Sequence, residues 1–318
     1  MIRFEKKNPV VVKEDIPEIN GLLRDVTSVF NPGAIKVDDK YLLMLRVQNR
    51  GRRTFFIMSE SDDGIDFVVE NKVVEFKGLE KIEGTIFHLY DPRLFTLDGE
   101  FYVIFAMDID DSCSIGLGKT TNWKEFEFCG IISEPNVRNG VIFPEKINGS
   151  YYKLERPNDF QIEGGPLTGN SITISKSNNL FEWEVIKKIA YGNKNYWDEL
   201  IGSGPPPVKT RKGWLSVYHG IAMHYAPIYQ VGVMLFDLDD PSKVIARGSQ
   251  NILEPREYFE LVGQVPNVIF PTGLIVEEYD DEGFAKEESE VKLYYGAADT
   301  SIGLATSTVS QLIKNCYE

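Results

Sequence analysis

The chain alternates short apolar runs with polar turns, and the alternation comes round five times. Asn31-Pro32 precedes the run Tyr41-Leu-Leu-Met-Leu-Arg46, and Asp91-Pro92 precedes Phe101-Tyr-Val-Ile-Phe-Ala106. Phe143-Pro144 precedes Tyr151-Tyr-Lys-Leu-Glu-Arg156, and Pro206-Pro207 precedes Trp214-Leu-Ser-Val-Tyr-His219. A fifth copy with a longer insertion starts at Phe270-Pro271 and runs through Leu293-Tyr-Tyr-Gly296 to Asp299. A second signal follows each of these strands. Thr54-Phe-Phe-Ile-Met-Ser, Ser114-Ile-Gly-Leu-Gly, Ser171-Ile-Thr-Ile-Ser, Tyr229-Gln-Val-Gly-Val and Ile302-Gly-Leu-Ala-Thr-Ser are alternating or apolar runs, most of them ending in a turn rich in Asp, Asn or Gly. With outer segments such as Asp66-Phe-Val-Val-Glu70, each repeat holds about four strands. Strand repeats of roughly 50–80 residues predict an all-β fold, a five-bladed β-propeller with about four antiparallel strands per blade.

The repeats leave no Gly/Ser-rich or Pro-rich linker, so residues 1–318 read as a single domain. Residues 1–29 read as an N-terminal arm leading into the first blade, and 309–318 as a short C-terminal segment, Val309 to Cys316 being the best helix candidate. The charge run from Asp280 to Glu290 reads as a solvated loop inside the last blade.

The net charge of −14 argues against nucleic acid or an anionic membrane as partner, though it leaves room for a local basic pocket. The N-terminus lacks the apolar stretch of a signal peptide, and no apolar run reaches the ~18 residues of a membrane span. Three cysteines, Cys113, Cys129 and Cys316, lack metal-ligand spacing. They read as free thiols in a reducing cytoplasm.

Radial repetition brings equivalent positions of all blades to one axis, and those positions are chemically loaded. Asn31 and Asp91 share the slot before proline in successive repeats. Arg46, Arg156 and His219 each fall five residues after the aromatic residue that opens their strand. Arg138, just before the third repeat, adds another guanidinium. Each alone is more often an ordinary ion pair or a satisfied core residue; their shared slot favours a site. Arginine grips phosphate with a planar fork, and histidine adds a donor. Tyr90, Tyr225 and Tyr229 are placed to stack on sugar rings or simply to pack a blade. His88 and His224 lie outside the slot, and the three histidines show no ligand spacing, so no metal is expected.

These residues resemble glycoside hydrolase family 130, the five-bladed mannoside phosphorylases and mannosidases. The likeness runs from Phe30-Asn-Pro-Gly-Ala34 to Tyr295-Gly-Ala-Ala-Asp-Thr300. It includes Tyr90-Asp-Pro-Arg93, Arg138-Asn-Gly-Val-Ile-Phe-Pro144, Glu155-Arg-Pro157, Tyr218-His-Gly220 and Val265-Pro-Asn-Val-Ile-Phe-Pro271. The resemblance implies that Asp91 is the sole proton donor, acting through a mannose hydroxyl. It implies that Arg138, Arg156 and His219 hold inorganic phosphate, and that Asn31, Arg46 and Asp299 hold the mannosyl unit at subsite −1. Tyr90 would join the substrate contacts, with Tyr225, Tyr229, Pro266 and Asn267 toward the acceptor. Phe30-Asn-Pro-Gly-Ala34 departs from the Phe-Asn-Ser-Ala of members acting on β-1,4-mannosides and is nearer those acting on β-1,2-linked mannose.

The function so implied is inverting phosphorolysis of a β-mannoside, with phosphate as co-substrate and no cofactor, giving α-D-mannose 1-phosphate and a shortened acceptor. The partners are then a β-linked mannose disaccharide or oligosaccharide and phosphate, and a homo-oligomer is compatible with the sequence. Inverting hydrolysis needs an acid and a base spaced around a water, whereas anionic phosphate dispenses with the base. The alternatives are a β-mannosidase on the same fold and a non-catalytic propeller serving as an interaction platform.

Overall fold

A computed structural model describes residues 1–318 apart from 4–6, 163 and 224. Five antiparallel sheets are arranged as the blades of a propeller, which is the predicted fold. The first blade holds Val26–Val37, Lys40–Asn49, Thr54–Ser61 and Val68–Val73, ordered from the axis outward. The second holds Ile86–Leu97, Glu100–Ile109, Ser112–Thr120 and Phe126–Ile131, with Phe76–Lys77 added in parallel outside the last. Val137–Ile142, Tyr151–Pro157, Ser171–Ser177 and Glu184–Tyr191 make the third. In the fourth, Leu200–Ser203 and Val208–Thr210 both pair with Gly213–Ala222, followed by Ile228–Phe236 and Val244–Arg247.

The fifth blade draws three strands from the end of the chain, Ile269–Val276, Glu290–Ala297 and Ser301–Thr308, and its fourth from the start. Ile2–Arg3 pairs antiparallel with the last of these, Arg3 opposite Ala305. The segment read as an arm thus closes the ring, and the first blade begins at Val26. Two residues of strand carry too little periodicity to be read from sequence. The helix Val309–Asn315 forms where expected, capped by the Thr308 hydroxyl accepting from Gln311 N at 3.2 Å. The acidic run lies between Val276 and Glu290, in the loop predicted for it.

Two-sided burial explains why the second strand of most blades is largely apolar; that of the third, Tyr151–Pro157, instead buries a Lys153–Glu155 ion pair. Five hydrophobic clusters fill the five gaps between neighbouring blades. Side chains alternate between faces, so Leu43 and Leu45 pack toward the fifth blade with Ile302 and Leu304. Met44, between them, packs toward the second with Val103 and Phe105. A strand buried on both faces has no solvent side on which a polar period could show.

Candidate active site

In the first three blades the innermost strand breaks register at the same height. The breaks fall between Phe30 and Gly33, Tyr90 and Arg93, and Arg138 and Val141. The residue after each break point has a left-handed backbone: Asn31 at φ 46°, Asp91 at 53° and Asn139 at 54°. Asn and Asp tolerate this region better than other side-chain-bearing residues. A bulge of this kind re-aims a side chain out of the ladder. Here it turns all three toward one cleft of about 360 Å³ at the axis. Space is made for Asn31 by Gly296, where any Cβ would collide with the Asn31 side chain.

Asn139 is the third member of the slot, and sequence reasoning missed it. The X-Pro marker set the third repeat at Phe143-Pro144 and the fourth at Pro206-Pro207. In the structure Phe143 lies one residue past the strand Val137–Ile142, and the bulge is at Asn139-Gly140. An Asn-Gly pair does there what Asn-Pro and Asp-Pro do in the first two blades, so following proline alone shifted the phase.

Asp91 Oδ1 accepts from Asn31 Nδ2 and from Arg46 Nη1, both at 2.8 Å. Among the described residues its Oδ2 has no protein partner. Arg46 stands opposite Phe30 in the ladder and lies over the Phe30 ring at 4.3 Å and the Tyr90 ring at 5.0 Å. Arg46 Nε and Asn31 Oδ1 are buried without hydrogen-bond partners among the described residues. Asp299, at φ 50° in the turn between the last two long strands, also lines the cleft. Burial pushes its carboxyl up to about 6, with Asp91 adding to the effect and Arg46 opposing it. Tyr90 donates from its hydroxyl to Asp108 Oδ1 at 2.8 Å, and burial holds that phenol well above its usual range.

The other wall carries the arginines. Arg138 and Arg156 stand directly opposite one another on adjacent strands. Arg138 Nε donates to Cys113 Sγ at 3.3 Å, Arg156 Nη2 to Asn158 Oδ1 at 3.4 Å, and among the described residues Arg156 Nε has no partner. Among the described residues neither guanidinium has a carboxylate within 4 Å. Burial, followed by the charge of Arg138, lowers Arg156 to about 10. Despite the acidic chain, four arginines and three aspartates line this cleft.

His219 shares the repeat position of Arg46 and Arg156 but lies behind the wall, fully buried, with its ring 4.5 Å from Phe270 and 6.3 Å from Tyr229. Among the described residues neither ring nitrogen has a partner. Burial, then Arg156 and Arg93, hold it well below its ordinary value of 6.5, so the imidazole is neutral and offers a single N–H. It sits against Gly202, where a Cβ would meet His219 Cε1 at 2.5 Å and Asn139 Oδ1 at 2.8 Å.

Tyr229 lines the cleft, as do Val265, Val268 and Phe270. Pro266 is exposed, Asn267 is half-buried with its carbonyl accepting from Tyr229 N at 2.9 Å, and Tyr225 is fully exposed; none of these three is in the lining. His88 lines the cleft, whereas His224 lies outside the described residues. Among the described residues no three of His, Cys, Asp or Glu gather as metal ligands. Gln48, Asp108 and Asn158 were also missed, and a signal for them existed. Each lies two residues beyond the slot occupied by Arg46, Ala106 and Arg156; Gln48 and Asp108 are thus on the same face of their strands, and Asn158 follows directly on the end of its own at Pro157.

Residues 4–318 match the glycoside hydrolase family 130 profile, described as beta-1,4-mannooligosaccharide phosphorylase. The chain belongs to glycoside hydrolase family 130. It is 33% identical over 291 residues to a 1,2-beta-oligomannan phosphorylase of Thermoanaerobacter sp., covering 87% of this chain and 89% of the relative. It is 28% identical over 313 residues to a beta-1,4-mannooligosaccharide phosphorylase of Ruminococcus albus, covering 96% and 88%. A beta-1,2-mannobiose phosphorylase from Listeria innocua, solved with beta-1,2-mannobiose, superposes with a TM-score of 0.84 at 25% identity, covering 99% and 98% of the two chains. As a family 130 propeller, the chain carries its loaded slot at the axial cleft.

Proposed function

We propose that this chain catalyses inverting phosphorolysis of β-mannosides, releasing α-D-mannose 1-phosphate and an acceptor shortened by one sugar. The observation that carries this reading is the Arg138–Arg156 pair, a half-buried and a buried guanidinium side by side without a carboxylate within ion-pair distance among the described residues. Such a pair awaits an anion, and phosphate fits its bidentate geometry. A carboxyl count alone would not separate phosphorolysis from hydrolysis, because Asp299 supplies a second carboxyl beside Asp91.

In the proposed reaction Arg138 and Arg156, with the His219 region behind them, place a phosphate oxygen behind C1. That oxygen forms the new bond as the glycosidic C–O bond breaks with inversion. Asp91 supplies the proton to the leaving oxygen by way of a mannose hydroxyl. Its Oδ1 is occupied by Asn31 and Arg46, which leaves Oδ2 to carry the proton. Asn31, Arg46, Asp299 and Tyr90 hold the mannosyl unit, with Tyr229, Asn267, Pro266 and Tyr225 on the acceptor side. We read β-1,2 linkages ahead of β-1,4, supported by Phe30-Asn-Pro-Gly-Ala34 and by the likeness to relatives named for β-1,2-mannosides. Three cysteines without a disulfide support a cytoplasmic enzyme; among the described residues no helix is long and apolar enough to cross a membrane.

The test is incubation with β-1,2- and β-1,4-mannobiose, each with and without phosphate. Sugar phosphate formed only with phosphate supports the proposal; free mannose released equally fast without phosphate replaces it with a β-mannosidase.

A further inference from the structure

Arg93 is 1% exposed, yet it carries a full guanidinium to the propeller axis. Its Nη1 donates to the backbone carbonyl of Asp91 at 2.7 Å, Nε to that of Gly204 at 2.9 Å and Nη2 to that of Ser203 at 3.3 Å. Asp91 belongs to the second blade, Ser203 and Gly204 to the fourth, and the third stands between these in sequence around the ring. The side chain therefore reaches across the axis. Among the described residues it has no carboxylate within ion-pair distance, and burial lowers it to about 10. Burying a charge on carbonyls alone is costly. Features that break a local rule in this way concentrate at functional sites.

Both ends of this strut belong to the site. One end grips the peptide of Asp91, whose left-handed bulge decides where the carboxyl points. The other end holds the residue after Gly202, the floor against which His219 and Asn139 pack. We propose that Arg93 is a positioning residue of the reaction, fixing the acid on the second blade at a set distance from the floor on the fourth against which His219 and Asn139 pack. The inference rests on the function proposed above. Arg93 does not touch substrate; it sets the geometry of groups that do. A misplacement of about 1 Å in a reacting group can cost on the order of 100-fold in rate.

The decisive variant is Arg93→Lys, which keeps the charge but cannot span three carbonyls with one ammonium. Phosphorolysis kinetics per folded molecule should show kcat lowered about ten- to hundredfold. The KM values for mannoside and for phosphate should each change by less than about threefold, since the binding side chains remain. Arg93→Gln, which removes the charge as well, should lower kcat at least as far. A residue that only stabilises the fold would lower Tm and leave kcat per folded molecule at the wild-type value, and that result overturns the proposal. Failure of both variants to give folded protein by circular dichroism and gel filtration also overturns it, assigning Arg93 to the fold. Wild-type enzyme assayed in parallel separates the two readings. Absence of phosphorolysis there sinks the proposed function, whereas an active wild type with unimpaired variants sinks only the strut.

Discussion

Asn31 and Asp91 occupy one structural position in neighbouring blades, and the amide of the first donates to the carboxylate of the second at 2.8 Å. Both have left-handed backbones at the equivalent break in the innermost ladder of their own blade. The amide and Arg46 converge on one oxygen of the carboxyl, so they orient the group while leaving its second oxygen toward the cleft. Repetition of a backbone device, rather than proximity in sequence, assembles the acid.

Asp91→Asn keeps the shape and one acceptor oxygen for Asn31 and Arg46, so circular dichroism and mannoside binding should change little. Loss of the transferable proton should lower kcat by about 10²–10⁴-fold. Near-normal turnover of an unactivated mannobiose by this variant would remove Asp91 from the mechanism.

The blades, their number and the loaded slot were legible because each blade repeats a strand that must be buried on two faces. Asn31, Arg46, Asp91, Arg138, Arg156, Tyr90, Tyr229 and Asp299 all line one cleft. Asn139 was hidden because Gly140 stands where earlier blades have proline. The closing strand Ile2–Arg3 was hidden because its pairing with Thr306 and Ala305 spans almost the whole chain. The neutrality of His219 could not be read at all: it follows from complete burial beside Arg156 and Arg93, which only packing reveals.

Asp299 predicts a trade between stability and activity. Its ordinary value is 3.8, and burial raises it to about 6 in the folded protein. Between these values the folded chain holds a proton that the unfolded chain has released. Its stabilising contribution is thus complete below the unfolded value and is lost as pH rises through the folded one. Asp299→Asn cannot ionise and should melt higher than wild type at about pH 7.5, by no more than about 3 kcal/mol of stability. The gap should close near the ordinary value of 3.8. Turnover should fall in the same variant, because a carboxylate facing the sugar is lost. Equal melting temperatures across the pH range would show that the carboxyl is not raised.

His219 predicts the opposite slope. Its folded value is depressed below the ordinary 6.5, so below that pH the unfolded chain takes up a proton that the folded one refuses. Stability is fully present above 6.5 and falls as pH drops, by up to about 1.4 kcal/mol per unit for one proton. His219→Gln, with no such group, should show a flatter acid limb in melts between about pH 5 and 7. Parallel acid limbs in the two proteins would mean that the histidine is already protonated in the fold.

The Arg138–Arg156 pair carries the prediction that bears most on function. Like charges directly opposite across a strand pair destabilise a sheet, and here burial strengthens the repulsion while no carboxylate among the described residues lies within ion-pair distance of either guanidinium, Asp108 acting on Arg138 only from further off. An anion bound between them should therefore stabilise the fold through linkage, by RT ln(1 + [L]/Kd), about 2.7 kcal/mol at a hundredfold excess over Kd. Phosphate should raise the wild-type Tm in a saturable way, and sulfate, alike in shape and charge, should do the same and compete with phosphate in turnover. Arg156→Ala and Arg138→Ala should each abolish most of that rise and raise the KM for phosphate far more than that for the mannoside, because each removes a charge-assisted fork. His219→Ala should act in the same direction but more weakly, since a neutral imidazole contributes one donor. Without any anion the Arg→Ala variants should melt closer to wild type than loss of a buried arginine would suggest, because removing one guanidinium also removes the repulsion. A phosphate-dependent rise in Tm that survives in both arginine variants would place the anion elsewhere and detach the pair from catalysis.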